Sequence, residues 1–207
     1  NDPILYLHKL YNIFKNDDFF RNLFIGCVSK NHKNAYFLSL SLNVELGDDI
    51  ETIFYGMYSY LRFDRLPPVI FINLDRYHNK YVNHKTVSYP KNLNLGKYTT
   101  NNSSPNYELY SVIIHSGKNK NGHFSAYIHD INSGNWVLYD DSKANIVSPH
   151  TAIEENYGGN DKPYSAKILV YFDSSMKDVL FEPDNEDSTT SLIVSQFKAQ
   201  EEYNKSS

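Results

Sequence analysis

A single cysteine in 207 residues leaves no partner for an internal disulfide and no CxxC pair for a zinc knuckle. The lone thiol fits a reducing compartment. No apolar run approaches the roughly 20 residues needed to cross a bilayer, so no membrane partner is expected. Charge of one sign is also lacking. Twenty Lys+Arg against 24 Asp+Glu give a net −4, and the basic residues form no block of the kind phosphate binding favours, which excludes nucleic acid as a first expectation. The chain opens Asn1-Asp2-Pro3, with neither Met nor a secretory leader, and reads as an excised segment.

Aromatic rings are abundant: 18 Tyr and 12 Phe bring aromatics to 15%. A core or a contact face is built from large amphipathic rings, and any one Tyr reads equally as core or as surface. With 41% hydrophobic residues the chain can bury a core, and its length suits one domain or a large piece of one.

Asp2-Pro3 is an N-cap followed by N1, and Leu7, Leu10, Ile13 and Phe14 recur at helical spacing, predicting a helix to about Lys15. Asp17 and Asp18 start a second turn through Phe24, with a strand beyond Gly26. Leu38 to Leu46 alternates apolar and polar as a half-buried strand does. Asp49 then caps a helix carrying Ile50, Ile53, Phe54, Met57, Tyr58 and Leu61. The run Val69–Leu74 after Pro67-Pro68 suits a buried strand, and the polar Asp75-Arg76-Tyr77 ends it. Residues 78–105 show no period and are read as loops and short edge strands. Four β segments follow, at 107–115, 122–130, 135–140 and 165–172, in an antiparallel sheet, with a short helix after Ser148-Pro149 that stops at Gly158-Gly159. After Asp173 the composition turns polar. A weakly amphipathic stretch from Leu192 to Tyr203 reads as a solvated tail or linker helix.

The most pointed local feature is His123 at the mouth of one strand with Asp140-Asp141 at the end of the next. An imidazole needs a carboxylate on one nitrogen to fix its tautomer while the other activates a nucleophile, and His123 with Asp140 would supply that pair. On residue type alone, the favoured reading is a structural strand-end histidine beside a plain Asp-Asp turn, since isolated His and Asp are common.

Three segments in order carry a family resemblance. Leu66 to Tyr77, LPPVIFINLDRY, is similar to the "LPPVLIIHLKRF" strand of the ubiquitin-specific proteases. Tyr107 to Tyr127, YELYSVIIHSGKNKNGHFSAY, resembles their histidine box, and Trp136 to Asp141, WVLYDD, resembles the "W-x-x-F-D-D" after it. The runs 152–159 and 166–172 look most like the herpesvirus-associated branch. The resemblance covers most of 23–180 and implies an α+β, papain-like thumb-palm-fingers fold, of which this chain holds the fingers and palm with a central antiparallel sheet. It implies fingers-side elements over 1–65, palm over 66–180, and a tail or linker over 181–207.

Carried over, His123 matches the catalytic histidine, Asp140 its orienting carboxylate and Asp141 a supporting neighbour. Tyr77 and Phe124 fall on aromatic positions lining the channel for ubiquitin's C-terminal tail, and His115-Ser116-Gly117 on a loop shaping it. The implied reaction is isopeptide hydrolysis by a cysteine thiolate through a thioester. The implied partners are ubiquitin, ubiquitinated proteins and the N-terminal Cys-bearing part of the same catalytic domain; the implied home is cytoplasmic or nuclear. The family's box resembling N-x-G-N-T-C-[FY]-M-N does not occur here. Cys27, only 96 residues before His123 (123 − 27), is read as a small apolar strand residue rather than the nucleophile. Asn121 stands where the family has the first of two glycines, a place where Asn would tolerate a left-handed backbone. No cofactor is implied and no metal expected, since His115, His123, His129 and His150 match no compact zinc signature. The rival reading is a non-catalytic module that grips ubiquitin without cleaving it.

Overall fold

The computed structural model describes residues 2–30, 33–78, 81–100, 105–159 and 161–181. Helix α1 (Pro3–Phe14) starts where Asp2 accepts from the Ile4 amide, and α2 (Asp18–Phe24) where Asp17 accepts from Phe20. Strands β1 (Gly26–Lys30) and β2 (Lys33–Phe37) form a hairpin, and β3 (Ser39–Asn43) follows. The alternation from Leu38 to Leu46 ends as a strand at Asn43, because the Asn43 side chain accepts from the Glu45 amide and tightens 44–46 into a 3-10 turn. Helix α3 (Ile50–Tyr58) is capped by Asp49 and buries Ile50, Ile53 and Phe54; Leu61 falls beyond its end.

Strands β4 (Phe63–Arg65), β5 (Val69–Asp75), β6 (Tyr77–His78), β7 (Tyr81–Val82) and β8 (Asn92–Asn94) lead to the long β9 (Asn106–Ser116). Then come β10 (His123–His129), β11 (Trp136–Asp140), β12 (Lys143–Val147), α4 (Pro149–Ala152), β13 (Tyr164–Asp173) and α5 (Lys177–Phe181). Among the described residues β2-β1-β4 make a small sheet, and the main one runs β12-β11-β10-β9-β13-β5-β3 with β8 also on β9. All of its pairings are antiparallel except β3 on β5.

The core lies on one face of that sheet, where Ile72, Leu74, Val112, Leu169 and Tyr171 meet α3 and the 87–98 segment. Among the described residues five tyrosines are buried in the core and six are exposed. Tyr107, Tyr171 and Tyr89 are buried and donate to the carbonyls of Pro67, Pro90 and Ile153 at 2.7, 2.7 and 3.1 Å, giving each ring a satisfied polar end. Strand β5 ends at Asp75, where the sequence turns polar, but Arg76 just beyond it is only 1% exposed. The chain stays packed past Asp173, since the α5 residue Phe181 sets its ring 5.0 Å from that of Phe172 and 5.2 Å from that of Tyr110. The 192–203 stretch lies outside the described residues, and among them no helix is long and apolar enough to cross a membrane.

Candidate active site

His123 opens β10 and Asp140 closes β11. Their register pairs Ala126 with Tyr139, which brings Ser125 level with Asp140 and leaves His123 diagonal to it on the same face. There His123 hydrogen-bonds through Nε2 to an Asp140 carboxylate oxygen. A carboxylate only accepts, so the proton sits on Nε2 and Nδ1 is left for another partner. Both side chains remain open, 49% and 44% exposed. The bond to Asp140 raises the imidazole above its ordinary pKa, and the negative charges of Asp140 and Asp141 add to this.

Asp141 sits in the two-residue turn between β11 and β12 at φ 52°, a left-handed position that a short polar side chain tolerates. It is the non-glycine with positive φ among the described residues, so Asn121 is not in the left-handed region. His123, Asp140 and Asp141 bring ligand atoms within 4.8 Å of one another, one nitrogen and two carboxylates, a donor set short of the four that structural zinc takes.

Behind His123 stands an aromatic group. The His115 ring lies 4.9 Å from Phe124 and 5.8 Å from Tyr77, both edge-on. His115 and Ser116 are not in a loop: β9 runs through Ser116, which pairs with His123 on one side and Tyr164 on the other, and only Gly117 begins the turn. His115 is fully buried, and neither ring nitrogen has a hydrogen-bond partner among the described residues. Burial, then the neighbouring His84 and Lys167, push its pKa down to about 4. Burial, with Asp2 adding, pushes Tyr77 up to about 12, and the Lys167 ammonium lies 4.2 Å from the Tyr77 ring centre.

The close approach of these layers requires glycine at 122. A Cβ there would stand 2.1 Å from the Ser116 carbonyl oxygen and 2.5 Å from His115 Nε2.

Three supporting residues escaped the sequence reading. Arg76 donates to the carbonyls of Ala166, Asn83, Lys85 and Tyr157 at 2.7, 3.0, 2.6 and 3.3 Å, pinning the 83–85 segment to β13. Buried Lys167 donates to the Leu74 carbonyl at 3.1 Å. His84 bridges Ser165 and Gly117. Polar residues in aperiodic or apolar surroundings gave no signal beyond their type. Cys27 lies on β1 opposite Tyr36, buried, with its thiol pKa raised by burial and by Asp64, the reverse of an activated nucleophile.

Fold and site together define an α+β protein presenting a histidine–carboxylate pair at the rim of a mainly antiparallel sheet. The pattern of the family described as ubiquitin carboxyl-terminal hydrolase matches residues 13–171. The chain belongs to that family. It is 30% identical over 147 residues to Ubiquitin carboxyl-terminal hydrolase 7 of Drosophila melanogaster, covering 64% of this chain and 13% of that protein. It is 29% identical over 172 residues to Ubiquitin C-terminal hydrolase 13 of Arabidopsis thaliana, covering 68% of this chain and 15% of that one. The chain thus spans about a seventh of the length of these relatives. A solved chain from the yeast SAGA DUBm shares the fold with a TM-score of 0.63 and 21% identity, over 73% of this chain and 38% of its own.

Proposed function

We propose that this chain is the fingers-and-palm part of a deubiquitinase catalytic domain, supplying the His and Asp of a Cys-His-Asp triad while the cysteine comes from another stretch of polypeptide. The observation that carries this is the His123–Asp140 hydrogen bond through Nε2 at an open rim, which leaves Nδ1 as the base. In the reaction Nδ1 takes the thiol proton, and the thiolate attacks the carbonyl of ubiquitin's terminal glycine. The imidazolium then protonates the departing amine, and water activated by the same nitrogen cleaves the thioester. Asp140 holds the ring and offsets its charge. Tyr77, His115, Ser116, Gly117 and Phe124 would line the approach of ubiquitin's tail.

The small β2-β1-β4 sheet suits the fingers and the large sheet the palm. The runs 152–159 and 166–172 support the herpesvirus-associated branch. An element able to cover α1 is also called for: Leu5, Tyr6, Ile13 and Phe14 on that helix are exposed. Buried Cys27 favours a second reading for the chain by itself, a module that binds ubiquitin without turnover. The two part on hydrolysis of a ubiquitin C-terminal amide by the parent domain with its upstream residues. Turnover lost in His123→Ala supports the triad; no turnover in the intact domain supports binding alone.

A further inference from the structure

His84 lies in the aperiodic segment after β7, yet its backbone and its ring are both tied to other elements. Arg76 grips the carbonyls on either side, those of Asn83 and Lys85, and the Gly159 amide donates to the His84 carbonyl at 2.7 Å. That approach needs glycine at 158 too, since a Cβ there would stand 2.4 Å from the His84 carbonyl oxygen. The backbone is thus fixed on three carbonyls and presents the imidazole from a rigid base.

The ring spans two elements. Nε2 meets the Gly117 carbonyl and Nδ1 the Ser165 hydroxyl, both at 2.8 Å. A carbonyl only accepts, so Nε2 carries the proton, and in the neutral ring Nδ1 accepts from the Ser165 O–H. Gly117 in turn donates to the Pro163 carbonyl at 2.7 Å, holds φ 129°, and packs so closely on Gly122 that a Cβ would stand 3.1 Å from the Gly122 Cα. Gly122 is the residue before His123. From these contacts we propose that His84 is a positioning residue for the candidate reaction, holding through Gly117 the Ser116–Gly122 turn on which His123 is mounted. The proposal rests on the catalytic reading of His123 for its consequence and on the contacts alone for its geometry.

The first test uses the 207-residue chain and long-range nitrogen–proton NMR of the imidazoles. The expected result is an Nε2–H tautomer at His84 at neutral pH, perturbed in Ser165→Ala, which removes the donor to Nδ1 with little change of volume. His84→Ala should shift the amides of Gly117 and Gly122 and the His123 ring, and His84→Gln, which keeps an N–H towards Gly117, should restore them. An Nδ1–H tautomer, or Gly117, Gly122 and His123 signals indifferent to His84→Ala, overturns the proposal. The second test is turnover of a ubiquitin C-terminal amide by the parent domain. His84→Ala is expected to lower kcat/KM about tenfold, chiefly in kcat, with His84→Gln recovering most of it. An unchanged kcat in His84→Ala overturns the positioning role. A wild-type domain without turnover overturns the deubiquitinase reading instead, and the NMR result alone then decides the geometry.

Discussion

At the residue scale the decisive feature is one imidazole whose two nitrogens have different work. With Asp140 on Nε2, His123 is fixed in the tautomer that leaves Nδ1 basic. In the parent domain His123→Ala is expected to abolish ubiquitin-amide hydrolysis, and Asp140→Asn to lower kcat by about 10²–10⁴-fold, measured by steady-state kinetics. Proton NMR of the His123 ring should place its titration above 6.5, and Asp140→Asn should bring it down. Because the folded pKa is raised, the pair stabilises the fold below the unfolded pKa of 6.5, and that contribution is lost as pH rises through the folded value.

His115 works in the opposite sense. With a folded pKa of about 4, it stays neutral while the unfolded chain takes up a proton below 6.5. Stability is therefore expected to fall as pH drops from 6.5 towards 4, seen as a decline in Tm that His115→Phe flattens.

At the element scale the chain's own pattern was legible wherever burial followed a simple period. The segments read at 107–115, 122–130, 135–140 and 165–172 appear as strands within about a residue of those limits, because alternation and flanking turn residues mark them. What escaped has physical reasons. Strand β12 has four of its five residues exposed, so its Lys143–Val147 sequence carries no hydrophobic face to read. The parallel pairing of β3 with β5 is a tertiary choice that an alternating pattern does not encode. Arg76 follows the end of β5, as the sequence predicts, but its burial carried no signal, since polar residues are mostly exposed and here four carbonyls meet it in the interior. Arg76→Met is expected to cost about 3 kcal/mol or more in urea unfolding, since several buried acceptors lose their donor. The His123 and Asp140 placement could be read from residue type, strand order and family resemblance together. The His84 bridge could not, as it depends on where an aperiodic loop folds back. Gly122→Ala is expected to cost about 1–3 kcal/mol by thermal unfolding, because its methyl would enter the Ser116 carbonyl and the His115 ring.

At the scale of the whole molecule, one large sheet carries on its buried face the hydrophobic core and at its rim the His123–Asp140 pair to which the proposal assigns the chemistry. Arg76, Gly122 and the glycines at 158 and 159 join these two, tying the loops beside the rim to the central strands. The chain's only cysteine lies buried in the separate small sheet, so the account places the nucleophile elsewhere. Reaction with ubiquitin bearing a thiol-trapping group at its C-terminus, followed by peptide mass spectrometry, tests that most directly. The account predicts an adduct on a cysteine upstream of residue 1 in the parent domain, lost in His123→Ala, and none on the 207-residue chain. An adduct on Cys27, or one that forms without regard to His123, would contradict it.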